Sequence, residues 1–197
     1  MEADWAAEIG PRLDRICTDW PGFIDLRAEP GALGKIGEAG PGSALEEALA
    51  ALNAAESPVL TCKCDRWAVP PEELDPYELE ASRETAQAGA ASYVDIVLRD
   101  GEVFASFDAH EAWARQAALR LRAMPLANGR VDLVIRAALG EESGGFGITL
   151  YAIGCGADAG GAEAAWAAVL RAAVAVTMSE ARSLATLGTA RASSSIG

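Results

Sequence analysis

Few residues in this chain are suited to chemistry. Cys62, Lys63 and Cys64 stand together in VLTCKCDRWAV, Cys155 lies far downstream, and His110 is the only histidine. Thiolates and imidazole are the ligands of tetrahedral zinc, so Cys62, Cys64, Cys155 and His110 make one candidate metal set. The spacing is Cys-x-Cys, whereas thiol–disulfide catalysts use Cys-x-x-Cys. Core chemistry accounts for the cysteines more simply. A reduced cysteine behaves as a small buried hydrophobe, and strand alternation puts Cys62 and Cys64 on one face with Leu60. His110 opens a helical run, where the macrodipole disfavours its charged form, and it reads as a surface residue there. No nucleophile signature accompanies it, and no phosphate-cradling loop, dinucleotide fingerprint or metalloprotease helix occurs. No catalytic residue is assigned and no cofactor is expected.

Two aspartates come next. Residues 94–99 read VDIVLR and residues 131–136 read VDLVIR. Asp95 and Asp132 could form an acid–base pair if a pocket raised one pKa. Each, however, has an arginine four residues on, Arg99 and Arg136. If the two segments are antiparallel neighbours, Asp95 meets Arg136 and Arg99 meets Asp132 in cross-strand pairs that fix register. The third cluster is Glu72, Glu73, Asp75, Glu78, Glu80 and Glu84, with Arg83 the single cation inside it. It reads as a solvated helix face that can dock a basic protein segment.

These residues need elements to hold them. Trp5, Ile9, Leu13, Ile16 and Trp20 follow a helical stripe broken at Gly10-Pro11, and the glycine-rich residues 21–42 extend it into an arm. Residues 1–42 are therefore an N-terminal helical and extended arm. Ser43 with Glu46 signs a helix start. A strand is expected over 59–69 and an acidic helix over 72–90, capped by Asp75. Asp100-Gly101 between apolar runs is a hairpin signal joining strands 92–99 and 102–107. A helix begins at Asp108, strands cover 130–139 and 146–156, and an alanine-rich helix covers 162–182. The α+β domain spans 43–184 and a disordered tail 185–197.

The expectation is an α+β two-layer sandwich. A mainly antiparallel sheet of about five strands carries helices on one face, with a β-β-α unit written twice.

Bulk properties narrow the functions. A net charge of −13 and a pI near 4.5 exclude nucleic acid, which demands a basic face, and disfavour an anionic membrane. The stretch Ala164–Met178 is interrupted by Arg171 and too short to span a bilayer. The start MEADWAAEIGPRL lacks a basic, apolar leader, so no secretory signal is expected, and the cytoplasm is the expected compartment. From residue 43, without the 72–90 helix, the element order resembles that of type III secretion chaperones. These are small acidic dimers that bind unfolded stretches of client proteins. That resemblance in topology and acidity implies a non-catalytic protein-binding module, chaperone- or adaptor-like, with a protein partner or a homodimer. Two alternatives remain: a small-molecule- or metal-binding protein, enzymatic or not, using Cys62, Cys64, Cys155 and His110, and an accessory subunit of a larger assembly.

Overall fold

The computed structural model describes residues 1–18, 20–140 and 144–194, with side chains described as far as Leu184. It is an α+β fold with a mixed sheet of six strands. The strands are β1 (Glu2–Glu8), β2 (Ile16–Cys17), β3 (Val59–Val69), β4 (Ala88–Leu98), β5 (Gly129–Leu139) and β6 (Gly144–Gly156). The helices are α1 (Ala44–Asn53), the single turn α2 (Gly101–Phe104), α3 (Phe107–Arg122) and α4 (Ala159–Ser194). Strand order is β1-β5-β6-β4-β3. β3, β4, β6 and β5 pair antiparallel, while β1 and β2 lie end to end along β5, both parallel to it.

Alternation sends one face of the sheet into the main core. Val94 and Ile96 of β4, Ile148 and Leu150 of β6, and Leu133 and Ile135 of β5 are fully buried there with Leu45, Trp113 and Trp166. The helices pack that close because β6 carries glycine where α4 crosses it. A Cβ on Gly154 would run into the backbone of Trp166, and one on Gly156 into Ala162. Buried indoles need a partner for their N–H, and both have one. Trp166 Nε1 donates to Ser92 Oγ at 2.9 Å, and Trp113 Nε1 to Thr177 O at 2.9 Å. Between Ala159 and Leu184, α4 is long and apolar enough to cross a bilayer by composition. Its face with Trp166, Val169, Leu170 and Ala173 is instead spent on this core.

Local signals decide the ends of α1. Ser43 Oγ accepts from Glu46 N at 3.1 Å, and the Glu46 carboxylate reaches back to Gly42 N at 2.6 Å. At its C-terminus Arg99 donates to the carbonyls of Asn53, Ala54 and Ala55, and to Val59 O, filling orphan acceptors of the last turn.

Several expectations are corrected. The stripe at 2–20 is not helical. Residues 2–8 gain a parallel ladder on the edge of β5, with Ala3 buried and Trp5 half-buried against the core. Asp100-Gly101 does not turn a hairpin. The Asp100 carboxylate accepts from Glu102 N and Val103 N and starts α2, so 102–107 is no strand and the two β-β-α copies do not match element for element. The cap of α3 is Ser106, whose Oγ accepts from Ala109 N, and not Asp108. Residues 72–90 form a 3-10 turn at Pro71–Glu73, then turns, and enter β4 at Ala88. Glu80, at a left-handed φ of 49°, interrupts any helical run there. Leu74, Leu79 and Ala86 pack onto Val69, Ala91 and Cys155. Helical backbone continues into the expected tail as far as Ser194, while residues 195–197 lie outside the described ones.

The α4–β6 contact generates a stability prediction. Trp166→Ala should destabilise the fold by about 3–5 kcal/mol, read from the urea midpoint at constant m-value. A loss below about 1 kcal/mol would mean that this contact does not organise the core.

Candidate functional site

The second face of the sheet is where the candidate residues converge, and the strand register lays it out in rows. Moving along the sheet, Leu60, Val97, Gly147 and Arg136 are level, then Lys63, Asp95, Thr149 and Val134. Asp65, Tyr93, Tyr151 and Asp132 form the third row, and Trp67, Ala91, Ile153 and Arg130 the fourth. One end of this face is sealed by Ile16, Leu60, Cys62, Val97, Phe104 and Ala138. Gly147 permits that seal, because a Cβ there would strike Ile16 Cδ1 and Val97 Cγ1 at 2.9 Å. Beside it, Trp20 Nε1 donates to Cys62 O on β3 at 3.2 Å. The opposite end is sealed by the acidic segment. It runs from Leu74, packed with Val69, to Glu78, paired with Arg130 at 3.2 Å, and Glu80, paired with the N-terminal ammonium at 2.9 Å.

Between the seals lies a polar cleft of about 320 Å³ floored by Lys63, Tyr93, Asp95, Thr149, Tyr151 and Arg136, with Asp14, Arg15 and Ile16 on its rim. Thr149 Oγ1 donates to Asp95 Oδ1 at 2.6 Å. Burial raises the Asp95 carboxyl above its usual range, opposed by Thr149, Arg136 and Lys63 and assisted by Asp14. The Tyr93 hydroxyl beside Lys63 raises the ammonium's pKa. The rings of Tyr93 and Tyr151 are 5.9 Å apart. Arg15, Lys63 and Arg136, with two phenols and Thr149, line the cleft mostly with hydrogen-bond donors.

The expected aspartate–arginine pairs take a different form. β6 lies between β4 and β5, so VDIVLR and VDLVIR run parallel on either side of it and are not neighbours. Asp95 and Arg136 still reach the same cleft. Arg99 is committed to the end of α1, and Asp132 accepts from Arg130 at 2.8–3.0 Å.

Cys62 and Cys64 do not share a face. Register shifts between Thr61 and Lys63, a β-bulge that puts an extra residue in one strand and re-aims the side chains beyond it. Cys62 joins Leu60 in the seal, whereas Cys64 packs toward the helical core. Desolvation pushes both thiols up to about 12. Cys155 sits under the acidic segment, and burial raises its pKa too. His110 is not on the surface. It is fully buried, with Nδ1 2.8 Å from Ser106 O, between Trp113 and Phe146, and desolvation lowers its pKa. Cys62, Cys64, Cys155 and His110 thus lie in different parts of the core. Among the described residues no three of His, Cys, Asp or Glu gather in a way that could hold a metal ion.

Glu72, Glu73, Asp75, Glu78, Glu80 and Glu84 are all exposed, on turns and not on a helix face. Tyr93, Thr149 and Tyr151 are cleft residues that motif and spacing do not single out, and Lys63 is marked only by its place between two cysteines. Their shared signal in the sequence is polar side chains alternating with the apolar positions of three strands.

No family model, curated protein or solved structure matches this chain. Its function must be argued from its own geometry.

The thiols and the aspartate each generate a prediction. In the folded protein iodoacetamide should modify exposed Cys17 first, with Cys62 and Cys155 reacting only on denaturation. Equal labelling of all four under native conditions would contradict their placement. A carboxyl whose folded pKa is raised contributes stability that is complete below its unfolded pKa and lost as pH rises through the folded one. Asp95→Asn should therefore be more stable than the parent at neutral pH, the gap closing below pH 3.8, the group's ordinary value. Thermal melts across pH that show no gap, or a reversed one, would count against the burial of Asp95.

Proposed function

We propose that the chain is a non-catalytic protein-binding module, adaptor- or chaperone-like, that takes up an extended basic segment of a partner along the outer edge of β3. One observation carries this reading. Among the described residues β3 pairs on one side only, with β4, and past Thr61 and Cys62, whose main-chain groups Asn53 and Trp20 take, its stretch 64–69 has no other strand along it. The opposite edge of the sheet is made by the shorter strands β1 and β2, of seven and two residues, laid along β5. A free edge offers main-chain donors and acceptors to an incoming strand, and alternate side chains then supply specificity.

Side chains near that edge support the reading. Trp67 is 41% exposed, an aromatic anchor of the kind that dominates binding energies. β3 runs directly into the acidic segment, where Tyr77 is 92% exposed and Glu72, Glu73, Asp75, Glu78, Glu80 and Glu84 face solvent. With a net charge of −13, the chain attracts basic partners and speeds their encounter. The same charge weighs against nucleic acid and anionic membrane. A second copy adding its own β3, giving a homodimer, or a subunit of a larger assembly would use the same edge. The cytoplasm is the compartment this reading assigns.

The test is calorimetric titration with an extended peptide alternating valine and lysine, beside its valine–glutamate counterpart, with sedimentation of the protein alone. The basic peptide should bind, weaken as salt shortens the screening length, and lose about 1–2 kcal/mol with Trp67→Ala. A protein that stays monomeric and binds neither peptide, or binds both equally, would sink the reading.

A further inference from the structure

The polar cleft on the open face is separate from the edge of β3, and its strongest feature is an arginine with a spare donor. Arg136 is only 12% exposed. Its Nη2 is spoken for by Glu8 at 2.9 Å, with Tyr151 Oη at 3.4 Å, and its Nη1 lies 3.9 Å from Asp14. Its Nε is buried and has no hydrogen-bond partner among the described residues. An unmade hydrogen bond on a buried charged group is costly, so native structures rarely leave one without a reason.

The surroundings fit an incoming anion. Arg15, Lys63 and Arg136 converge on this cleft in a chain that has only 16 Lys and Arg in all. Glu8 and Asp14 offset part of that charge from the rim. Across the floor, Asp95 already accepts from Thr149 Oγ1 at 2.6 Å, and burial raises its pKa against the pull of Thr149, Arg136 and Lys63. The space, about 320 Å³, falls at the small end of ligand pockets.

We propose that this cleft is a small-molecule site that grips the carboxylate or phosphate group of its ligand through Arg136 Nε and Lys63, with the Tyr93 and Tyr151 rings beside the remainder. Arginine suits the task because its planar fork meets two oxygens at once, whereas lysine presents a point charge. The proposal takes only the Lys63 side chain from β3 and none of that strand's outward main chain, so it stands or falls apart from the protein-binding reading.

The experiment is a titration of the intact protein with inorganic phosphate and, separately, with acetate, over the millimolar range. The readout is the nitrogen-15 resolved signal of Arg136 Nε–H. One or both anions should move that signal saturably, phosphate alone assigning a phosphate ligand and acetate alone a carboxylate. Arg136→Lys keeps the charge and removes the Nε–H, and, followed through the backbone amides of Asp95 and Thr149, should weaken affinity about tenfold or more. Lys63→Gln, at an exposed position of the cleft where folding is not at risk, should weaken it severalfold. The proposal is overturned if neither anion moves the signal saturably, or if Lys63→Gln binds as tightly as the parent.

Discussion

The contact between α4 and β6 is the constraint that organises this molecule. Gly154 and Gly156 have no side chain, so the helix backbone comes down onto the strand at Trp166 and Ala162. Close packing of that kind rewards any apolar side chain that can join it and penalises voids. It draws α3 through the Trp113–Thr177 hydrogen bond and β4 through the Trp166–Ser92 bond. With three helices gathered on one side, the sheet has one dry face and one that no helix layer covers.

That second face is handled in pieces. One end is closed by a residue from each of several elements meeting over Gly147, and the other by the acidic segment laid across the ends of the strands. Neither seal is made by a helix layer, and neither reaches the middle. The uncovered middle therefore carries polar side chains, and polar side chains held half-buried by their neighbours acquire unusual protonation and unspent hydrogen bonds. The cleft is a by-product of a one-sided sandwich whose open face is trimmed at both ends. The same economy leaves both edge strands, β3 beside β4 and β1 beside β5, without a second neighbour among the described residues.

Much of this is legible in the chain. β3 can be read residue for residue from VLTCKCDRWAV, and the Ser43–Glu46 start of α1 from its cap. The stripes of α3 and α4 are evident from their tryptophans and alanines. The α+β class with helices on one face rests on these. The failures share a cause, which is that tertiary partners outweigh local pattern. The helical spacing of Trp5, Ile9 and Leu13 lost to a ladder offered by a strand more than a hundred residues away. Asp100-Gly101 is as good a cap as it is a turn, and only the committed Arg99 and the core position of Phe104 decide between them. The bulge that parts Cys62 from Cys64 has no local signature. The cleft needed strand order, because Asp95 and Arg136 come together only with β6 between them.

Native-state hydrogen exchange probes the organising role of the α4–β6 contact, since protection reports how firmly each segment is paired and covered. The slowest amides are expected in β6, β4 and the part of α4 over Gly154, with protection of β5 on its β1 side. Fast exchange is expected at the outward amides of 64–69. Uniform protection of β3 equal to that of β4, or early exchange of α4 with β6 still closed, would contradict that role.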